Sequence, residues 1–284
     1  MLPVLPAGRQ RPDATGMKLL HLLTAVHVDL SQHLGDTARS VGELRAALSS
    51  RGWTVSWHVV VDGVGELALE PDGADTLVHL GRQCGEAVTR NRALAQTAGT
   101  GWVFRLDGDD EVDVAGWCAL VDDPGFGSTH WHATNTLGFD GRPGTRWFSA
   151  PRLWAVREVQ ENWTSPMVFL PGNIVCRADL ALAAGGWAAL LTVPDVAWCF
   201  RVNELEPGLA LPYGTCRVRK WDKQITSQEA FGADKGASYE FLAASINARR
   251  AREGLPPVCP PMLLPGPGAG GRRPPAQPRP RPAP

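Results

Sequence analysis

The residues best suited to chemistry in this chain are the closely spaced carboxylates Asp107, Asp109 and Asp110. They follow an apolar run over residues 102–106 and enclose Gly108, a pattern that predicts a buried strand ending in a turn. In open α/β sheets, ligands bind beyond the carboxyl ends of the strands. Carboxylates packed this closely repel one another, and a hard divalent cation with oxygen ligands relieves that repulsion. The cluster therefore predicts a metal site that could hold a phosphate-bearing substrate, although a solvated turn or a helix N-cap would use the same residue types.

Two further polar residues favour the metal interpretation. Asp62 ends an earlier β-branched run, residues 54–61, and parallel pairing would bring its carboxylate to the same edge of the sheet. Arg90 lies in the segment 85–98, which is predicted to be a helix and precedes the carboxylate cluster. From there a guanidinium could reach a phosphate, although a surface helix charge is the alternative interpretation.

The segments that must position these residues alternate between strand and helix patterns. Strands are predicted over residues 19–26, 54–61, 75–80, 102–106 and 129–136, and helices over residues 35–51, 85–98, 112–121, 178–184, 195–205 and 239–252. This alternation predicts an α/β fold, in which helices cover both faces of a mostly parallel sheet.

The predicted organisation of the chain has four parts. A flexible leader over residues 1–16 precedes a single catalytic-type domain over residues 17–228, which is followed by a C-terminal helix over residues 229–253. Residues 254–284 form a tail rich in proline and arginine, and a disordered segment is expected because this composition cannot form a core.

Composition argues against several functional classes. The chain has 284 residues, 44% hydrophobic and 20% charged, which is typical of a soluble globular protein. A net charge of -1 argues against nucleic-acid binding, and the longest apolar run falls short of the ~20 residues of a membrane helix. We therefore expect no transmembrane segment, which leaves a peripheral membrane contact open. The six cysteines are dispersed without a CxxC pair, so we expect reduced thiols and a cytoplasmic protein.

Other phosphate-handling classes lack their motifs. Walker-type and GxGxxG sequences are missing, which disfavours ATPases and dinucleotide enzymes. A nucleotidyltransferase would need a Gly-rich loop with Arg and Lys after the first strand, and none follows here. The preference for Arg over Lys, together with abundant Ala, Gly and Pro, suggests a GC-rich bacterial genome.

A family resemblance joins these motifs. The run 85–94, GEAVTRNRAL, followed by an apolar strand and Asp107-Gly108-Asp109-Asp110, resembles the family 2 glycosyltransferases of the GT-A fold. Later segments match that family in order: Gly172-Asn173, Gly185-Gly186-Trp187 and the helix over residues 195–202. The resemblance extends over about residues 19–227, most of the chain outside the tail. It implies a GT-A α/β fold.

The resemblance also implies a reaction: inverting transfer of a sugar from a nucleotide-diphosphate donor to an acceptor hydroxyl. A Mg²⁺ or Mn²⁺ ion would stabilise the leaving diphosphate. By analogy, Asp109 would bind that metal, Asp107 would contact the ribose or the metal through water, and Asp62 would contact the base. Asp195 would take the proton of the acceptor, although an N-cap of its helix is a second role for this residue.

The remaining predictions concern the diphosphate and the acceptor. Arg90 would bind the nucleotide sugar, and Arg219 and Trp221 lie in a late basic segment that can close over the diphosphate in this family, or could form a solvated loop. The acceptor could be a glycan, a lipid or a natural product. Pro194 stands where the family usually has Glu, and the turn after Asp62 lacks the family's second acidic residue. These departures leave open a nucleotide-sugar-binding protein without catalysis.

Overall fold

The computed structural model describes residues 18–144, 148–163, 169, 171–190, 192–220 and 229–258. The predicted leader and all but five residues of the predicted tail lie outside these ranges. The strands are β1 (Leu19–His27), β2 (Thr54–Asp62), β3 (Thr76–His79), β4 (Trp102–Arg105), β5 (Glu111–Val112), β6 (Trp131–Gly138), β7 (Arg152–Trp154), β8 (Ile174–Arg177) and β9 (Gly208–Val218). The helices are α1 (Leu34–Ser49), α2 (Glu86–Leu94), α3 (Val114–Asp122), α4 (Glu158–Glu161), α5 (Ala178–Ala183), α6 (Pro194–Leu205) and α7 (Glu229–Arg252).

These strands form one sheet in the order β3-β2-β1-β4-β8-β6-β9-β5, with β7 also paired to β9. Pairing is parallel throughout β3, β2, β1 and β4, whereas β8 is antiparallel to both β4 and β6. The parallel half contains the strands that the sequence pattern predicts most clearly. It places the carboxyl ends of four strands along one edge of the sheet.

Two hydrophobic cores lie on opposite faces of this sheet. Alternate strand residues face opposite sides, so Phe104 packs with α1 and α3 in one core, while its neighbour Val103 packs with α2, α5 and α6 in the other. Helix α7 adds Leu242 and Ile246 to the second core. The predicted α/β fold with helices on both faces is confirmed. Among the described helices, none combines the length and the apolar character needed to cross a bilayer.

Strand β9 is the main element that the sequence pattern does not predict. It contains Pro212, which has no N–H to donate to a neighbouring strand, and it also contains glycines, which are unfavourable inside strands. The structure accommodates this proline at a register shift: Ala133 pairs with Ala210 and Asn135 with Gly214, so one residue of β6 lies opposite three of β9.

Candidate active site

The candidate site lies where the parallel strands end. Asp62 is the last residue of β2, and Asp107 follows the end of β4 by two residues. Strand β1 lies between them in the sheet, with β2 on one side and β4 on the other, so the strand order reverses at β1. Ligands bind at such reversal points in open α/β sheets because a crevice forms there. Both predicted carboxylates therefore lie at the edge where they were expected.

Arg90 joins the two halves of the predicted site. Its Nη2 donates to Oδ1 of Asp107 at 2.8 Å, and its Nη1 donates to Oδ1 of Asp195 at 2.7 Å. One turn earlier on α2, Glu86 forms an ion pair with the same guanidinium. The side chain of Arg90 is only 2% exposed, so the interpretation as a surface helix charge is wrong.

Arg105 is a site residue that the sequence interpretation did not assign. Its Nη1 lies 2.9 Å from Oδ2 of Asp195 and 3.1 Å from Oδ2 of Asp107. Burial acts to lower the pKa of Arg105, but Asp107 and Asp195 outweigh it and raise that pKa above its ordinary value. A charged residue at the end of an otherwise buried strand was the available signal, because such a residue is nearly always paired.

Glu86, Arg90, Arg105, Asp107 and Asp195 thus form a connected ion cluster. Burial would raise the pKa of Asp107, but Arg105 and Arg90 overcome this effect and hold that pKa below its usual range. Burial raises the pKa of Glu86, with Asp195 and Asp107 adding to the effect against the opposing charge of Arg90. With all groups ionised, three carboxylates and two guanidiniums leave one net negative charge.

Asp195 lies in the first turn of α6 and is not the N-cap of this helix. The N-cap is Val193, with a left-handed φ of 57°, and Pro194 occupies the first helical turn. The carboxylate of Asp195 is therefore available to side chains across the crevice. Besides Arg90 and Arg105, it accepts a hydrogen bond at Oδ1 from Nε1 of Trp187, at 2.9 Å.

Gly172 packs directly on the pair formed by Arg105 and Asp195. A Cβ placed at this position would lie 2.8 Å from Nη2 of Arg105 and 2.8 Å from Oδ2 of Asp195. These distances are far shorter than ordinary contacts between heavy atoms. The Gly172-Asn173 segment therefore flanks the ion cluster, and a side chain at position 172 would displace Arg105 or Asp195.

The acidic turn after β4 could supply only part of a metal site. Both oxygens of Asp107 lie within ion-pair distance of guanidiniums, and Asp110 is buried and accepts the backbone N–H of Arg219 at 2.9 Å. Burial raises the pKa of Asp110 well above its usual value, and Asp107 and Asp109 add to this effect. Within the described ranges, no group of three or more His, Cys, Asp or Glu side chains is arranged to hold a metal ion. This donor set fits a cation shared with a substrate diphosphate, and does not fit one held by the protein alone.

Asp62 and Arg219 both form hydrogen bonds with other residues of the protein. Asp62 accepts the backbone N–H groups of Cys84 and Gly85 at 2.6 and 2.9 Å, which fixes the loop before α2. Arg219 donates to Oδ2 of Asp36 at 2.8 Å and to the carbonyl of Asp109 at 3.0 Å, so it lies beside the acidic turn. Their roles toward a nucleotide stay predictions. Trp221 lies outside the described residues.

Comparisons with known proteins identify the fold. No protein-family model matches the chain, and no curated protein matches it either. Among solved structures, it is similar to residues 1–349 of S. aureus TarS in complex with UDP-GlcNAc, at 14% identity and a TM-score of 0.57, over 83% of this chain and 73% of that one. The same part of TarS in complex with UDP gives 12% identity and a TM-score of 0.52, over 82% and 72% of the two chains. A further structure of S. aureus TarS gives 12% identity and a TM-score of 0.54, over 83% of this chain and 44% of that one. The chain therefore has a GT-A-like glycosyltransferase fold.

Proposed function

We propose that this chain is an inverting glycosyltransferase of the family 2 type, which moves a sugar from a nucleotide diphosphate to an acceptor hydroxyl. One observation carries the proposal: a single buried guanidinium, that of Arg90, binds both Asp107 and Asp195. It places the acidic turn at the end of β4 and a carboxylate at the start of α6 in one crevice. Those are the two groups that a direct displacement requires, one beside the leaving group and one beside the nucleophile.

In the proposed reaction, the acceptor oxygen attacks the anomeric carbon on the face opposite the diphosphate. A new carbon–oxygen bond forms, the bond from the anomeric carbon to the phosphate oxygen breaks, and its electron pair leaves with the diphosphate. Asp195 accepts the proton of the acceptor hydroxyl as a general base. A single displacement of this kind inverts the configuration at the anomeric carbon.

The charge of the ion cluster supports a requirement for Mg²⁺ or Mn²⁺. Because Arg90 and Arg105 are already paired with three carboxylates, they offer no net positive charge to an incoming diphosphate. Asp109 and Asp107 would hold the cation together with oxygens of the donor. The ion would supply charge stabilisation for the leaving diphosphate.

A uridine nucleotide is the donor to test first, because two of the TarS structures similar to this chain are complexes with UDP-GlcNAc or UDP. Asp62 would then contact the base, and Arg219 and Trp221 the diphosphate, while Arg90 would hold Asp107 beside the nucleotide sugar. The acceptor is a hydroxyl-bearing glycan, lipid or natural product.

The first experiment is a thermal-shift screen of UDP-, GDP- and dTDP-sugars, with and without Mn²⁺, because a ligand that binds the folded state raises its melting temperature. We expect one nucleotide class to raise the melting temperature in the presence of Mn²⁺, and slow hydrolysis of the matching sugar donor. If no nucleotide sugar binds or is hydrolysed with Mn²⁺, the proposal is wrong.

Two variants then separate metal-dependent binding from transfer. Asp109→Asn should abolish the Mn²⁺-dependent binding of the nucleotide, since it removes a charged ligand. Asp195→Asn should keep nucleotide binding and remove turnover, because an amide cannot accept the proton. Asp72→Asn, at an exposed turn position, is the matched control and should change neither.

A nucleotide-sugar-binding protein without catalysis is the second candidate. It is favoured by the observation that both carboxylate oxygens of Asp195 already accept hydrogen bonds from guanidiniums. This candidate predicts tight binding of the nucleotide sugar and no turnover that depends on Asp195.

A further inference from the structure

Trp187 is held at two places: its indole donates a hydrogen bond to the candidate base Asp195, and its backbone is hydrogen-bonded to helix α2. Its Nε1 donates to Oδ1 of Asp195 at 2.9 Å, and Trp187 is 2% exposed. Asn91 holds the backbone of Trp187 at both ends of its own carboxamide: Nδ2 donates to the Trp187 carbonyl and Oδ1 accepts the Trp187 N–H, each at 2.8 Å. The backbone of Trp187 is therefore fixed by α2, the same helix that supplies Arg90.

This arrangement makes the two oxygens of Asp195 unequal. A carboxylate has about four lone-pair sites, two on each oxygen. Oδ1 accepts from Arg90 and from Trp187, which fills both of its sites. In the part of the chain that the structure describes, Oδ2 accepts one hydrogen bond, from Arg105. One lone-pair site on Oδ2 therefore has no hydrogen-bond donor among the described residues.

We propose that Trp187 is a positioning residue for Asp195: by occupying Oδ1 together with Arg90, it directs Oδ2 toward the acceptor as the atom that takes the proton. The inference rests on the proposed function. Loss of the indole N–H would open a second site on Oδ1 and let the carboxylate rotate between Arg90 and Arg105. A rotated carboxylate would be held less often in the geometry that proton transfer requires.

The neighbouring tryptophan provides a matched control. Trp198, on α6, stacks on Trp187 with ring centroids 4.4 Å apart and an interplanar angle of 29°. It is also fully buried, but its indole nitrogen has no hydrogen-bond partner among the described residues. Trp187→Phe and Trp198→Phe therefore remove similar packing, and only the first removes a hydrogen bond to Asp195.

The first test is the hydrolysis of UDP-GlcNAc, or of whichever screened nucleotide sugar the wild type hydrolyses, with Mn²⁺ present. Trp187→Phe should lower kcat by about 10- to 100-fold, the range expected for one hydrogen bond to a charged group, and should leave the KM for the donor within about twofold. Trp198→Phe should leave kcat within a few-fold of the wild type. Equal losses of kcat in the two variants, or a change in KM alone, would overturn the inference.

The second test needs no turnover. In protein labelled with ¹⁵N-tryptophan, the indole signal that disappears in Trp187→Phe belongs to Trp187. Asp195→Asn should shift this signal, because the acceptor loses its charge, whereas the exposed control Asp179→Asn should leave it in place. An unmoved signal overturns the contact itself. If the signal moves but the wild type hydrolyses no nucleotide sugar, the proposed function fails and the positioning role fails with it.

Discussion

Gly172→Ala should damage the ion cluster although it adds only one methyl group. The added Cβ would lie 2.8 Å from Nη2 of Arg105, 2.9 Å from Cζ of the same side chain and 2.8 Å from Oδ2 of Asp195. Each of these atoms would have to move by roughly 0.6 Å or more to reach an ordinary contact. Because the methyl group presses on both partners, we expect the hydrogen bond from Arg105 to Asp195 to lengthen from 2.9 Å.

The size of the effect follows from that one bond. A hydrogen bond between two charged groups contributes about 1.5–3 kcal/mol, and a buried charge that loses its partner adds a desolvation cost. Arg105 keeps its contact with Asp107 at 3.1 Å, which limits the cost. We therefore expect Gly172→Ala to lower the free energy of unfolding by about 2 kcal/mol.

Urea unfolding, followed by fluorescence, measures the change in stability, and hydrolysis of the nucleotide sugar measures the change in kcat. Gly42→Ala is the control: this exposed position in α1 has nothing within 4 Å of an added Cβ, so the variant should gain about 0.5–1 kcal/mol as alanine replaces glycine in a helix. If Gly172→Ala unfolds at the same urea concentration as the wild type and keeps its kcat, Gly172 does not control the pair formed by Arg105 and Asp195.

Two further predictions concern charge. Glu86→Gln removes one negative charge from the ion cluster, so the variant should bind UDP about threefold more tightly than the wild type. This magnitude follows because one unit charge acting through solvent contributes about 0.6–1 kcal/mol. Calorimetry in the presence of Mn²⁺ measures the affinity. His132 is fully buried against Trp102 and Phe126, and burial lowers its pKa to about 3 from an ordinary 6.5. As the pH falls below 6.5, His132 therefore binds a proton in the unfolded chain but not in the folded chain. Because of this residue, the free energy of unfolding should drop by about 2 kcal/mol between pH 7 and pH 5.

A further variant checks each of these predictions. Glu43→Gln makes the same chemical change at an exposed position of α1 and should leave the affinity for UDP unchanged; equal affinities for wild type and Glu86→Gln would contradict the first prediction. His132→Asn should flatten the pH dependence of the free energy of unfolding between pH 7 and pH 5. An unchanged slope in His132→Asn would show that other groups cause the acid sensitivity.

The parallel half of the fold was predictable because its signals are local. β1, β2 and β4 are short apolar runs ended by polar turns, and α1 and α2 have helical spacing that ends near glycine or at a short turn. β9 was not predictable in this way, because Pro212 and its glycines oppose an internal strand. What holds β9 is pairing with β5, β6 and β7, which are distant along the chain.

The same distinction applies to the candidate site. Asp107 and Asp195 could be named from motifs, and their order along the chain resembles that of a known family. The contacts that join these two residues could not be predicted from the sequence. In the sequence Arg105 looks like one polar residue at the end of an apolar run, and the indole nitrogen of Trp187 bonds a residue in another element. Side-chain direction across a crevice is a property of the packed structure, and no residue spacing encodes it.

Helix α2 organises the site more than either acidic motif does. Asp62 fixes its start through the N–H groups of Cys84 and Gly85, the latter with a φ of 85° that favours glycine. From that start, Arg90 reaches the carboxylates of the ion cluster, and Asn91 holds Trp187 against Asp195. A change at Asp62 would therefore reach Asp195 through the helix even if Asp62 never touched a nucleotide. Adjacent residues of this helix thus serve the two parts of the site: Arg90 joins Asp107 to Asp195, and Asn91 fixes the backbone of the tryptophan whose indole bonds Asp195.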